Sequence, residues 1–400
     1  FPAIVMLSLL QLPRQALLIL LLQFTNSLGV SALVPLMSFF IVEGLGAEPW
    51  QVGLYSGLVM PLTLAVNRWA GERLDNRFPV KSLLVVSVVA YITLAALLTQ
   101  ISSLAMLLVL IAPLMSLSNM GAGVVFTFGR LFAEQEGMDV ARVNSWLRMM
   151  VSLAWMIGPA VSFSVVAAFG FAAAFLCAFA IGIVYLMLWY IVVPADFRSA
   201  RERSKTNGKA PINWGLQIAG LTCLGFVITN SLFVSAMPLF FVQETHLPGA
   251  TPGLALSVKC LLEVFVIFGS VRLAERIGIR QVLMLAACLA AVSMVLFAQV
   301  TALWQVLAIA VLEGTYYGLF AGVAISFVQS FAPDRPGRAT AVYMNSLFLG
   351  GMIGSISMGF IASAASFQTV LYTAALSATA ALAVLLATLK VQPKVIEEGA

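Results

Sequence analysis

Charge is the scarcest thing in this chain. Of its 400 residues only 21 are Lys or Arg and 16 are Asp or Glu, so 9% are charged against 62% hydrophobic. A water-soluble fold of this length cannot cover its surface with so few ions. There is one histidine, His246, and four cysteines, Cys177, Cys223, Cys260 and Cys288, with no CxxC spacing. That excludes a cysteine–histidine metal cluster and a disulfide framework, and the cysteines read as small apolar packing residues. Nothing matches GxxxxGK[ST], so no phosphate-cradling loop is expected. No nucleophile–base pair stands out, which argues against an enzyme, and no cofactor is called for. The net charge of +5 is not a nucleic-acid footprint, because its distribution has another cause.

What the chain does have is apolar runs, and nearly all its basic residues sit in every second connection between them, Lys259 inside a run being an exception. Residues 42–50 carry only Glu43 and Glu48, and residues 99–104 and 244–252 carry no Lys or Arg. By contrast, 68–81 holds Arg68, Arg73, Arg77 and Lys81, and 198–209 holds Arg198, Arg201, Arg203, Lys205 and Lys209. Residues 272–280 hold Arg272, Arg276 and Arg280. This is the positive-inside pattern of a polytopic membrane protein. It places both termini and the basic loops on the cytoplasmic side of the membrane. Glu43, Glu48 and His246 then face outside, with Arg203 and Arg335 inside. Residues 1–13 lack a basic leading region and read as a cytoplasmic extension, not a signal peptide.

A run of about 20 apolar residues crosses the ~30 Å hydrocarbon layer. The expected spans are 16–41, 50–69, 82–100, 104–129, 143–166, 170–193, 213–243, 252–271, 281–299, 303–329, 340–362 and 367–388. Lipid leaves no water for unpaired backbone groups, so all should be helical. The fold class is therefore an all-α membrane protein of twelve transmembrane helices. The polar stretch 194–212 reads as a cytoplasmic linker between an N-terminal six-helix half, 1–193, and a C-terminal half, 213–400.

The halves repeat one another. Asp75 after the second span matches Glu275 after the eighth; Phe132-Ala133 matches Phe331-Ala332; Asn144-Ser145 matches Asn345-Ser346. Two pseudo-symmetric six-helix halves are a transporter architecture.

These motifs resemble the major facilitator superfamily. GERLDNR at 71–77 resembles its loop motif through Gly71 and Asp75, with Asn76 where the family has Arg. LAERIGIR at 273–280 is similar through Leu273, Glu275, Arg276, Gly278 and Arg280. The resemblance implies the major facilitator fold and a gating role for Asp75, Arg77, Glu275 and Arg276. Arg130 at the end of the fourth span suits a helix C-terminus or joins the gate with Asp75. AWMIGP at 154–159 is similar to an element of exporters in this superfamily, with Ala154 in place of the first Gly, and points to antiport. A closer resemblance, to the bacterial sugar efflux transporters, rests on SLAWMIGP after Arg148, FGRLFAE around Arg130 and PDRPGRATAVYMNS at 333–346. It implies export of sugars or glycoside-like solutes by a monomer, with protons and the lipid bilayer as its other partners.

Few ionisable residues lie deep. At 1.5 Å per residue, Lys259 and Glu263 lie about 10 and 16 Å from the outer end of the eighth span, and Glu313 lies about 15 Å into the tenth. Glu263 also falls where the sugar efflux family carries an acidic residue. Burying one charge there costs at least ~2.5–3.5 kcal/mol. Lys259 and Glu263 are four apart and can pair on one helix face. Glu313 has no partner nearby in sequence. Either Lys259 and Glu263 form a structural pair, or Glu263, Glu313 and Lys259 couple transport to protons.

Sugars need aromatic faces rimmed by polar groups. Trp155 lies two turns from Arg148, which is either a cavity cation or a residue snorkelling to headgroups. Gln23, Asn26, Asn119, Asn230 and Asn345 are intramembrane amides, and Tyr316 follows Glu313 with Tyr317. Each amide is either helix glue or a substrate ligand. Gly350, Gly351, Gly354 and Gly359 are expected to be close-packing positions. Two other readings stay open: a multidrug exporter of the same superfamily, and a membrane receptor or scaffold that transports nothing.

Overall fold

The computed structural model describes residues 13–198, 213–332 and 336–389. Arg203, Arg335, residues 1–12 and most of the expected linker lie outside these. Twelve long helices run through the described residues. In the first half, α1 is Arg14–Phe39, α2 Pro49–Asp75 and α3 Val80–Leu98. Then α4 runs from Leu104 to Gln135, α5 is Val140–Phe169 and α6 Phe171–Val192. In the second half, α7 is Trp214–Leu239, α8 Thr251–Ile277 and α9 Ile279–Phe297. Finally, α10 is Leu303–Ser330, α11 Pro336–Ala364 and α12 Phe367–Ala387. Eleven of the helices are long and apolar enough to cross a membrane. The exception is α2, whose 27 residues include Gln51, Asn67, Arg68, Glu72, Arg73 and Asp75. Leu176, Met187, Tyr190 and Ile191 on α6, and Phe265 and Phe268 on α8, are large exposed apolar side chains, as lipid-facing helix surfaces require.

The repeat seen in sequence is also a repeat of local structure. After α1 the helix widens over Phe40–Gly44, with Leu45 N–H donating to Phe40 O at 3.0 Å. After α7 it widens over Phe240–Glu244, with Thr245 N–H donating to Phe240 O at 3.1 Å. In the first half α3 packs on α4 and α6; in the second α9 packs on α10 and α12. Ser31 Oγ of α1 donates to Ala154 O of α5 at 2.9 Å, and Ser231 Oγ of α7 donates to Gly351 O of α11 at 2.9 Å. A basic residue near the start of the third helix of each half caps the end of the sixth. Lys81 Nζ donates to Tyr190 O at 3.2 Å, and Arg280 donates to Thr388 O at 2.5 Å and Leu385 O at 3.2 Å. Both cations sit where the exposed carbonyls of a helix C-terminus favour positive charge.

By packing, the chain forms two units. The first comprises residues 1–34 and 61–206, the second 35–60 and 207–400. The chain changes unit beside Pro35 inside α1 and beside Pro61 inside α2, where a missing N–H interrupts the helical ladder. The first unit has a core of Leu22, Leu83, Leu84, Val88, Val125, Phe128, Leu147 and Val192, all fully buried. It also holds a polar knot. Gly121 of α4 has no side chain, and Ser87 Oγ of α3, Asn26 Oδ1 of α1 and Tyr185 OH of α6 occupy the space one would need. The residues just after α6 fold back on this unit. Phe197 O accepts from Val80 N–H at 3.1 Å, and its ring meets Phe128 edge-on with centroids 4.8 Å apart.

In the second unit α7 packs on α11 and α12, and α8 on α10. Stacked pairs Phe226–Phe320 and Phe233–Phe297, each with centroids 4.6 Å apart, fill its core. Segment 35–60 joins it through close contacts. Gln243 Nε2 donates to Glu43 Oε1 at 2.5 Å, and Trp50 N–H donates to Ser363 Oγ at 2.8 Å. A methyl group at Gly359 would lie 2.6 Å from Pro49 O, so only glycine lets the chains approach this closely. Gly350 and Gly354 are likewise tight against Val227 and Ser231 of α7, at 2.8 and 2.7 Å. Gly351 has only ordinary contact, 3.7 Å from Met60 Cε.

Candidate functional site

The most buried ion pair among the described residues is built from three helices of the second unit. α10 presents Gly314, Gly318 and Gly322, one turn apart, to α8. A methyl group at Gly314 would lie 2.5 Å from Lys259 O, and one at Gly318 would lie 3.1 Å from Glu263 O. This small-residue stripe lets the two backbones approach closely, which brings the Lys259 and Glu313 side chains within bonding range. Lys259 Nζ lies 2.9 Å from Glu313 Oε1, with both side chains buried. The same ammonium donates to Asn230 Oδ1 of α7 at 2.5 Å. It also stands 4.4 Å above the centre of the Tyr317 ring.

Glu313 therefore does have a partner, supplied by a neighbouring helix that sequence proximity could not reveal. An ammonium has three N–H donors, and here a carboxylate, an amide oxygen and an aromatic face surround it. Glu263, one turn further along α8, is half-buried. Tyr316 is fully buried, and its hydroxyl and Glu313 Oε2 have no hydrogen-bond partner among the described residues. A carboxylate with an open oxygen beside a fixed cation can take up a proton or accept from a substrate hydroxyl.

The other expected site residues are dispersed. Gln23 and Asn26 of α1 are buried inside the first unit. Gln23 Nε2 donates to Ser27 Oγ at 3.1 Å, and Asn26 belongs to the knot at Gly121. Asn119 is half-buried, and its Oδ1 has no partner among the described residues. On α5 Arg148 is exposed and Trp155 half-buried, while on α11 Asn345 is exposed. Arg130 forms an ion pair with Glu134 at 2.9 Å on an exposed surface, where such pairs contribute little. Arg77 is exposed, with a left-handed φ of 58°. Glu275 and Arg276 are exposed near the end of α8. Asp75 ends α2, and its side chain lies outside the described residues. Among the described residues no group of His, Cys, Asp and Glu could hold a metal ion.

Sequence reasoning missed the joint role of Asn230 and Tyr317 around Lys259. The usable signal was the Gly314-Gly318-Gly322 spacing on the helix that carries Glu313, which marks the face that meets α8.

Solved structures share this architecture. The crystal structure of the nucleoside transporter NupG superposes with a TM-score of 0.76 at 14% identity, covering 94% of this chain and 100% of that one. That of a bacterial homologue of the iron transporter ferroportin in an inward-facing state gives a TM-score of 0.71 at 16% identity, with coverage of 94% and 99%. The family model described as Major Facilitator Superfamily matches residues 219–399. The chain thus has the all-helical fold of these solved transporters.

Over nearly its whole length it is similar to bacterial sugar efflux transporters. Sugar efflux transporter B of Salmonella typhimurium is 27% identical over 365 residues, 89% of this chain and 91% of that protein. Sugar efflux transporter A of Escherichia coli is 23% identical over 348 residues, 86% and 88% of the two chains.

Proposed function

We propose that the protein exports sugars or small glycoside-like solutes across a bacterial inner membrane by proton-coupled alternating access, as an antiporting monomer with both termini in the cytoplasm. The observation that carries this is the buried Lys259–Glu313 pair in a chain similar to sugar efflux transporters. A buried ion pair is a poor source of stability, so its presence at this depth favours a working role. On this reading Glu313 and Glu263 exchange protons under the influence of Lys259. Arg148 and Trp155 of α5, Asn119 of α4 and Asn345 of α11 supply polar and aromatic contacts for sugar. Asp75, Arg77, Arg130, Glu275 and Arg276 gate the cytoplasmic side.

The test is flux from proteoliposomes containing the purified full chain. Sugar movement against its gradient, driven by an imposed pH difference and abolished by a protonophore, is expected. Sugar flux that ignores the pH gradient would remove proton coupling and leave a facilitator. Flux of apolar cations in preference to sugars would instead favour a drug exporter.

A further inference from the structure

Asn230 was expected to be one of several amides that touch substrate. Its geometry gives it a different task. Its Oδ1 accepts from Lys259 Nζ at 2.5 Å, so the amide oxygen already serves a cation. The ammonium is rooted on α8, bonded to α7 through Asn230 and to α10 through Glu313 at 2.9 Å, and faces the Tyr317 ring at 4.4 Å. Other titratable groups near it are Glu263 and Cys260 on α8, Tyr316 on α10 and, beyond Tyr317, Tyr343 on α11. Helix α7 brings a neutral acceptor to this otherwise ionisable group.

That neutrality matters. When Glu313 takes a proton its carboxylate stops holding the cation, and a buried ammonium needs another acceptor to stay in place. A second carboxylate on α7 would hold the ammonium but would compete for the proton. An amide oxygen holds the ammonium and does not titrate.

We propose that Asn230 is a positioning residue for proton coupling: it keeps Lys259 seated while Glu313 changes charge, and it is not a substrate ligand. This rests on the coupling role of Glu313 proposed above. Two consequences follow. Removing the amide disturbs pH dependence more than substrate affinity. A carboxylate placed at 230 can stand in for Glu313, because it meets the same ammonium from the opposite helix.

The experiment compares wild type, Asn230→Leu, Glu313→Gln and the double variant Asn230→Asp/Glu313→Gln. Each full chain is reconstituted, and its thermal unfolding and its efflux of radiolabelled lactose are measured against pH. The double variant keeps the net charge of the wild type and regains both the stability and the pH-driven accumulation that Glu313→Gln loses. Asn230→Leu flattens or displaces the pH profile while KM stays within about threefold. The inference is overturned if the double variant is no better than Glu313→Gln. It is equally overturned if Asn230→Leu raises KM about tenfold, the cost of one lost substrate hydrogen bond, with an unaltered pH profile. If Glu313→Gln itself keeps wild-type accumulation, the coupling role of Glu313 falls. The stability rescue then still reports whether position 230 holds the ammonium.

Discussion

Replacing Lys259 with Met isolates the electrostatics of the buried pair. Met has a similar length and no charge, so packing against α7 and α10 is largely kept. What changes is that Glu313, fully buried, loses its cation. An unpaired carboxylate in this setting neutralises itself by taking a proton. Putting a proton at pH 7 on a carboxyl group that ordinarily ionises near 4.3 costs about 1.36 kcal/mol per pH unit, or about 3.7 kcal/mol in all. The same step at pH 5 costs only about 1 kcal/mol.

The sign follows from proton counting. In the variant the folded state holds a proton that the unfolded chain releases above its ordinary ionisation range, so stability falls as pH rises. Lys259→Met is therefore expected to be destabilised by about 3–4 kcal/mol at pH 7 and to recover most of that by pH 5. Adding Glu313→Leu removes the orphaned group, and the double variant should return to within about 1 kcal/mol of wild type at every pH. Thermal unfolding of the purified protein in nanodiscs, from pH 5 to 8, reads this directly. A cost for Lys259→Met that does not change with pH would refute the reasoning, as would a double variant less stable than either single one.

Three further outcomes follow from the packing and the charge pattern. Gly158→Ala would drive a methyl group into Ser31 Oγ and should cost about 1–3 kcal/mol. Ser31→Ala should restore part of this, and failure of that rescue in thermal unfolding would count against the contact. Arg280→Met removes the donors to Thr388 O and Leu385 O and should lower stability by up to about 2 kcal/mol. Hydrogen exchange should then rise first at residues 384–389. With Cys177 and Cys288, the two exposed cysteines, replaced, a cysteine at Glu48 should react with an impermeant thiol reagent in intact cells and one at Arg77 should not. The reverse pattern would invert the topology.

The helices and the repeat were legible because lipid makes both explicit. Spans must be apolar, and the motif offsets of 199 to 201 residues reappear in matching widened turns at 40–44 and 240–244. The partner of Lys259 was less legible. Helical spacing pointed to Glu263 on the same face, and the structure adds Glu313 from another helix, through the approach of α8 and α10 at Gly314. A contact between helices depends on which faces meet, and a single helix's periodicity does not carry that. Gln23 and Asn26 illustrate the same limit. A polar residue in an apolar run announces that it avoids lipid, but avoidance is satisfied equally by a cavity wall and by the interior of a unit, where both residues lie.

The hydrogen bond between Glu43 and Gln243 joins two positions that are copies of each other in the repeat. Two identical half-length chains meeting about a twofold axis at that point would have to place like against like. A pair of ionised glutamates would repel, and a pair of glutamines would form only a neutral bond. Within one fused chain each copy can diverge alone, so a charged acceptor can face an amide donor. A charge-assisted bond is stronger than a neutral one, and at this exposed position it is worth up to about 1 kcal/mol. Covalent fusion thus opens a contact to asymmetric tuning that a homodimer of half-length chains could not reach.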